Sequence, residues 1–254
     1  MEKINFFKMS GSGNDFIVID NRKKVVEENN LKTFISKICR RRMSVGADGI
    51  ILLEMCGNGA RCVSRFAYLN RIAGSRMSFE TDAGIIDAEV VDTEVMIKIP
   101  DPTGLKLNDS LKMNGGLISV SRVNTGVPHV VVEVDDLEEA QVVEVGRQIR
   151  YHEAFSPEGT NVNFTCYNDD RNLSIRTYER GVEDETLACG TGAIAGALIM
   201  ACKLKSRSPI KVKTRSGGYL KVHFKVKEDH FFEVFLQGDA RIIYRGELCE
   251  EAFK

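Results

Sequence analysis

Apolar residues alternate with polar ones over many short stretches of the chain, the pattern of half-buried β-strands. Residues 85–99 and 219–236 are the clearest cases, because both are rich in β-branched residues and long enough for two strands. The pattern predicts a β-hairpin in each. Residues 161–167 and 173–180 form a further predicted pair of strands, joined by the polar turn 168–172.

Four other segments carry apolar residues at helical spacing. Residues 31–41 follow Asn30, and residues 137–150 follow Asp135 and Asp136, which are side chains that cap helices well. Helices are also expected over 60–72 and 193–204, and the last of these is apolar on nearly all sides.

A repeat relates the two halves of the chain. Cys56-Gly57-Asn58-Gly59-Ala60 matches Cys189-Gly190-Thr191-Gly192-Ala193, and Thr81 and Thr214 each follow their cysteine by 25 residues in similar surroundings. Two blocks in one register indicate a duplicated unit of strands, turn, helix and strands.

The repeat predicts an α/β fold of the α+β type, with two pseudo-symmetric halves. Each half is expected to be a curved, mostly antiparallel sheet around a central helix. The Asn114-Gly115-Gly116 turn separates residues 1–115, which carry Cys56, from residues 116–244, which carry Cys189. We expect residues 245–254 to return to the first half and the active site to lie in the cleft between the halves.

Composition excludes several classes of protein. The formal net charge is -1, which argues against general nucleic-acid binding. Residues 186–202 form the longest uncharged run, too short and too rich in glycine for a membrane span, and no apolar leader follows Met1. The 7 cysteines are an odd number, which favours free thiols in a reducing cytoplasm.

The two repeated turns are candidate reactive sites. The glycines let the chain enter a helix directly after Cys56 and Cys189, so that backbone N–H groups face a bound anion. The helix end is also expected to lower the pKa of each cysteine. Two such thiols suit inversion of an amino-acid α-carbon, because one removes the α-proton and the other delivers a proton from the opposite face.

Other interpretations have less support. The remaining cysteines lack repeat partners and are expected to be structural: Cys39, Cys62, Cys166, Cys202 and Cys249. A thiol redox protein using Cys56 and Cys62 would need the closer spacing of redox motifs. Nucleotide binding at Gly11-Ser12-Gly13 or Gly57-Asn58-Gly59 would need a fuller glycine pattern.

Four segments carry a resemblance to a known family over nearly the whole chain. They are Phe7-Lys8-Met9-Ser10-Gly11-Ser12-Gly13-Asn14-Asp15-Phe16, Met55-Cys56-Gly57-Asn58-Gly59-Ala60-Arg61-Cys62, Glu158-Gly159-Thr160-Asn161-Val162-Asn163-Phe164, and Tyr178-Glu179-Arg180-Gly181-Val182 leading to Glu185-Thr186-Leu187-Ala188-Cys189-Gly190-Thr191-Gly192. With these segments the sequence resembles diaminopimelate epimerase.

The resemblance implies conversion of LL-2,6-diaminopimelate to the meso form, in lysine and peptidoglycan precursor synthesis, by a cytoplasmic homodimer that uses neither pyridoxal phosphate nor metal. It implies catalytic roles for Cys56, Cys189, His129 and Glu179. The implied substrate contacts are Asn14, Gly57, Asn58, Asn161, Glu179, Arg180, Gly190 and Thr191, and Tyr244 is implied to lie near the dimer interface. The expected partners are the small-molecule substrate and a second copy of the chain, with no nucleic acid and no membrane.

The chain departs from the family pattern in two places. Val127 stands where many members have asparagine, which removes one expected hydrogen bond to substrate. The first half also lacks a return strand before Cys56, since Gly49 precedes Cys56 by 7 residues whereas Val162 precedes Cys189 by 27. We expect about twenty residues, including a substrate-binding asparagine, to belong between Glu54 and Met55 but to be missing from the sequence as given.

The alternative within the same architecture is a proline or hydroxyproline racemase. Those enzymes also pair two cysteines, but they usually have histidine at the position of Asn58 and they lack the Tyr-Glu-Arg-Gly segment.

Overall fold

A computed structural model describes residues 4–53, 59–81, 84–113, 116–228 and 230–253. Contacts between Cα atoms divide the chain into two compact units. Unit 1 comprises residues 1–97 and 238–254, and unit 2 comprises residues 98–237. Residues 54–58 are outside the described part, so the predicted roles of Cys56, Gly57 and Asn58 have no structural account here.

Unit 1 is a set of strands with two α-helices. The strands form two runs of neighbours, β16-β1-β2-β3 and β4-β5-β6. Their bounds are β1 Ile4–Gly11, β2 Asn14–Ile19, β3 Gly49–Leu52, β4 Arg76–Thr81, β5 Gly84–Val91, β6 Glu94–Ile99 and β16 Arg241–Leu248. The α-helices are α1 Leu31–Ile38 and α2 Ala60–Leu69, and short 3-10 helices cover Glu28–Asn30 and Glu250–Phe253.

Unit 2 is one long run of strands in the order β7-β8-β9-β10-β11-β13-β14-β15, with the short β12 on β11. The bounds are β7 Thr103–Met113, β8 Gly116–Asn124, β9 Pro128–Glu133, β10 Asn161–Tyr167, β11 Asn172–Glu179, β12 Asp184–Thr186, β13 Ile210–Lys213, β14 Tyr219–Lys227 and β15 His230–Asp239. Its helices are α3 Val142–Arg150 and α4 Gly190–Leu204, with a 3-10 turn at Glu153–Phe155.

Helix α4 lies in the centre of unit 2 and contacts β8, β9, β10, β11, β13 and β14. Every residue from Gly192 to Ala201 is buried, which explains why this helix is apolar on all sides. Helix α3 instead packs one buried face on the opposite side of β10 and β11, where Val162 and Phe164 belong to its apolar cluster. The predicted α/β architecture of sheets around central helices is therefore confirmed.

Apart from β11 and the short β12 that pairs with it, each strand of unit 2 has a counterpart among the described strands of unit 1. In unit 1, β1 and β2 are antiparallel and β2 and β3 parallel; in unit 2, β8 and β9 are antiparallel and β9 and β10 parallel. The hairpins β4–β5 and β13–β14 also match. Among the described residues of unit 1, no strand corresponds to β11, which lies between β10 and β13.

The return strand that was expected to be missing from the first half is thus without a counterpart among the described residues, and its explanation, residues missing from the sequence as given between Glu54 and Met55, stays a prediction. The geometry of these two residues lies outside the described part.

The helices predicted over 31–41 and 60–72 end earlier than expected, at Ile38 and Leu69. The helix predicted over 137–150 begins only at Val142, because the guanidinium of Arg176 binds the carbonyls of Leu137, Glu138 and Ala140 and holds them out of a helix. The predicted boundary Asn114-Gly115-Gly116 falls on residues 114 and 115, which lie outside the described part; the flanking strands β7 and β8 pair with each other inside unit 2.

Candidate active site

Cys189 is the N-cap residue of α4, immediately before the first helical residue, as the turn pattern predicts. Its Sγ accepts a hydrogen bond from the backbone N–H of Gly192 at 3.4 Å and lies 3.5 Å from the hydroxyl of Thr191. Gly190 and Thr191 are the first residues of the helix, where backbone N–H groups have no partner within the helix. This end of α4 can therefore hold an anion.

The pKa of Cys189 is shifted in the direction opposite to the expected one. Burial, followed by the negative charge of Glu179, raises it to about 11, and the hydrogen bonds from Thr191 and Gly192 only partly offset this. The helix-end effect is real but small compared with desolvation of a thiolate. Cys189 is therefore a protonated thiol at neutral pH, and the predicted low pKa was wrong.

Glu179 ends β11 and is half-buried near the thiol. Burial raises the pKa of its carboxyl group above the ordinary value. Arg180 follows directly, so that a carboxyl group and a guanidinium group lie at the same end of β11. The guanidinium of Arg180 donates one hydrogen bond, to the carbonyl of Glu158 at 3.4 Å. It therefore retains donors for an anionic group.

Asn161, predicted to contact substrate, is 4% exposed, and its side-chain amide forms hydrogen bonds with two backbone groups. Its Oδ1 accepts from the N–H of Arg180 at 2.9 Å, and its Nδ2 donates to the carbonyl of Pro128 at 3.1 Å. It thus fixes the backbone of Arg180 against the first residue of β9. One N–H of the amide is left for a ligand.

His129 lies at the start of β9 with 1% of its surface exposed. Burial, followed by the positive charge of Arg180, lowers its pKa to about 3, so the ring is neutral. His129 also lines a cavity of about 520 Å³, together with residues of β7, β8 and the segment before β10. Val127, in the adjacent turn, accepts a backbone hydrogen bond from Thr125.

The two remaining predicted residues lie in unit 1. Asn14 is the first residue of β2, paired with Gly11, and is half-buried. Tyr244 lies on β16 opposite Lys8, is 45% exposed and contacts the ring of Phe6 edge to face.

One residue in this region received no role from the sequence. Asn163 is fully buried and contacts both His129 and Thr177. The signal was present in the alternation of β10: Asn161, Asn163 and Thr165 share one face of the strand, so three polar side chains lie on a face that the structure buries against α4.

Comparison with known proteins identifies the family. A sequence profile of the diaminopimelate epimerase family matches residues 121–243. The diaminopimelate epimerase of Aquifex aeolicus (strain VF5) is 41% identical over 99% of this chain and 100% of that protein. That of Hydrogenobaculum sp. (strain Y04AAS1) is 40% identical over 97% and 99%. The chain belongs to the diaminopimelate epimerase family.

Membership makes the chain an enzyme of the isomerase class. The Aquifex alignment spans 281 positions whereas the chain has 254 residues. At least 27 residues of that epimerase, 281 − 254, therefore align with no residue of this chain. This agrees with the lack of a counterpart to β11 among the described residues of unit 1.

Solved structures of other proteins share the fold. A phenazine biosynthesis protein of the PhzF family from Bacillus anthracis matches with a TM-score of 0.71 at 15% identity, covering 98% of this chain and 100% of that one. A hydroxyproline epimerase from Agrobacterium vitis matches with a TM-score of 0.70 at 14% identity, covering 100% and 93%.

Two further findings concern the whole described chain. No helix among the described residues is long and apolar enough to cross a membrane. The six described cysteines are free thiols: Cys39, Cys62, Cys166, Cys189, Cys202 and Cys249.

Proposed function

We propose that the chain interconverts LL- and meso-2,6-diaminopimelate by moving the α-proton between two cysteines, Cys56 and Cys189, without pyridoxal phosphate or metal. The observation that supports this most directly is the position of Cys189 at the N-cap of α4, among N–H groups suited to a carboxylate. The family and the repeated Cys-Gly-x-Gly-Ala turn extend the proposal to Cys56.

In the proposed reaction the α-carboxylate binds at the helix end, where backbone N–H groups stabilise the negative charge that develops as the α-proton leaves. Cys189 is a thiol before substrate binds, because its pKa is raised to about 11. It therefore serves as the proton donor in the resting enzyme, and Cys56 serves as the base. The roles exchange when the other isomer is the substrate, because its α-proton faces the other thiol.

Recognition of the distal end of the substrate falls to Glu179 and Arg180. A guanidinium can bind a carboxylate through two parallel hydrogen bonds, and a carboxylate can accept from an ammonium group. The half-buried position of both side chains reduces screening by water. We also propose that the enzyme acts in the cytoplasm as a homodimer with Tyr244 near the interface, in the synthesis of lysine and peptidoglycan precursors.

Exchange of α-protons in deuterated water tests this function. We expect exchange with LL-diaminopimelate and none with L-proline, followed by ¹H NMR. Cys56→Ala and Cys189→Ala should each lower the epimerisation rate by about 10²–10⁴-fold, because neither thiol alone can complete the inversion. Cys166→Ala is the matched control, since Cys166 lies on β10 and its thiol donates to the carbonyl of Asp135, which follows β9.

Exchange with L-proline but not with diaminopimelate would instead assign the chain to the racemase class. Full epimerisation by either cysteine variant would exclude the two-thiol mechanism.

A further inference from the structure

Asn163 connects His129 to the interior of unit 2 through three hydrogen bonds. Its Nδ2 lies 3.1 Å from Nδ1 of His129 and donates to the carbonyl of Val130 at 2.9 Å. Its Oδ1 accepts from the hydroxyl of Thr177 at 3.0 Å. Asn163 and Thr177 are 0% and 2% exposed, so water does not compete for these bonds.

The orientation of the Asn163 amide follows from these partners. The carbonyl of Val130 can only accept a hydrogen bond, so it requires the NH₂ group and would repel the amide oxygen. The Thr177 hydroxyl donates to the oxygen on the other side and reinforces this choice. An amide turned by 180° would lose the bond to Val130 and bury two oxygens against each other.

This orientation determines the proton position on His129. A nitrogen that faces an NH₂ group must accept, so Nδ1 of the imidazole is unprotonated and the proton of the neutral ring is on Nε2. Nε2 is buried, and no described residue provides a hydrogen-bond partner for it. A buried N–H without a partner is unfavourable unless a ligand supplies an acceptor.

We propose that Asn163, oriented by Val130 and Thr177, is a positioning residue that holds His129 as the Nε2–H tautomer, so that His129 donates a hydrogen bond to an acceptor oxygen of the bound amino acid. The inference rests on the proposed function for the identity of that ligand. It assigns His129 the part of a neutral donor and excludes a general base at Nε2, because Nε2 already carries the proton.

Charge around the ring is consistent with this role. Arg180 is the charged residue whose field acts on His129, and a cation there disfavours a second proton on the imidazole. The ring therefore stays in the one-proton form throughout the neutral range, and its hydrogen-bonding pattern does not change with pH there.

The tautomer is directly measurable by long-range ¹H–¹⁵N NMR on uniformly labelled full-length protein. The chain has 4 histidines, and His129→Gln identifies the signals of His129. We expect Nδ1 to show the shift of an unprotonated nitrogen and Nε2 that of a protonated one. An Nδ1–H tautomer or an imidazolium at neutral pH in the unmodified protein would overturn the inference, whatever the activity.

Variants test the cause. Asn163→Asp places an acceptor opposite Nδ1 and should move the proton of His129 to Nδ1. Thr177→Val removes one of the two bonds that orient the amide and should raise the fraction of the Nδ1–H tautomer, and Thr177→Ser should lower that fraction again. The control is Thr165→Val, a change of the same size at a fully buried threonine on the same face of β10. If Asn163→Asp does not fold, the Thr177 variants still test whether the orientation of the Asn163 amide sets the tautomer of His129.

Activity provides a separate measurement. Loss of a hydrogen bond from His129 to a charged oxygen should lower kcat/KM for diaminopimelate by about 10- to 100-fold in Asn163→Asp, with Thr165→Val unaffected. If the unmodified protein shows the Nε2–H tautomer but no epimerisation, the proposed function fails and the tautomer assignment stands. If epimerisation is found and Asn163→Asp changes the tautomer without changing kcat/KM, the donor role of His129 fails.

Discussion

The side-chain oxygen of Asn163 occupies the space that a β-carbon on Gly192 would need. Gly192 belongs to the first turn of α4, and its N–H also donates to the thiol of Cys189. The contact therefore links the capped cysteine, the helix and the amide beside His129. The second glycine of the Cys-Gly-Thr-Gly turn is required for this close approach as well as for the turn itself.

Gly192→Ala should destabilise the protein although alanine favours a helix, because the added methyl group overlaps Asn163. We expect a loss of about 1–3 kcal/mol in the free energy of unfolding. Gly196→Ala is the matched control, since it gains the same helix propensity and its nearest contact is the methyl group of Thr165 at 3.2 Å. Urea unfolding followed by circular dichroism measures both. Equal stability of the two variants would contradict the contact.

Glu179→Gln should make Cys189 more reactive. The charge of Glu179 is the second cause of the raised pKa of this thiol, after burial, so its removal should lower the pKa and increase the thiolate fraction. Iodoacetamide at about pH 9, with peptide mapping by mass spectrometry, should show faster alkylation of Cys189. Glu138→Gln, at an exposed glutamate paired with Arg215, is the control. Slower alkylation in Glu179→Gln would show that Glu179 does not act on Cys189 through its charge.

Arg180→Ala should weaken binding of diaminopimelate, because the contact of Arg180 with the distal carboxylate is lost while the N–H groups at the start of α4 are unchanged. A lost bidentate contact to a carboxylate should raise KM or lower kcat/KM by about 10- to 100-fold. Arg180→Lys should recover part of the loss, because it keeps the charge without the planar pair of donors. Arg171→Ala, in the exposed turn between β10 and β11, serves as the control. Unchanged kinetics in Arg180→Ala would remove this residue from substrate recognition.

Burial of neutral His129 should make stability depend on pH. The unfolded chain protonates a histidine near its ordinary pKa of 6.5, whereas folded His129 does so only near 3. The unfolded state thus binds more protons below pH 6.5, and stability falls as the pH drops through that window. His129 should contribute a loss of about 2 kcal/mol at pH 5 relative to neutral pH. His129→Gln should show a smaller loss between neutral pH and pH 5 in urea titrations; an identical loss would contradict the low pKa.

Sequence reasoning was most successful where the repeat supplied two observations of one element. The positions of α2 and α4 and the two hairpins at 85–99 and 219–236 were predicted in this way. It failed where a distant side chain decides the outcome. The first turn of the helix predicted at 137 is lost to Arg176, which lies about forty residues further along the chain.

In the candidate site, too, local features could be predicted from the sequence and features that depend on distant residues could not. The capping position of Cys189 could be predicted, because glycine spacing is a local property. Its pKa could not, because burial by the surrounding sheet and the charge of Glu179 depend on the completed fold. The role of Asn163 was equally hidden, since His129, Val130 and Thr177 come from two other strands.

The lack of a counterpart to β11 among the described residues of unit 1 has a consequence for protein engineering. In unit 2, β11 runs antiparallel to β10 and parallel to β13. Since β3 and β4 correspond to β10 and β13, a strand inserted into unit 1 should run antiparallel to β3 and parallel to β4. In the described residues β3 and β4 each end a row of hydrogen-bonded strands, which leaves two open sheet edges. A single graft between Glu54 and Met55, patterned on residues 167–180, would close both edges at once.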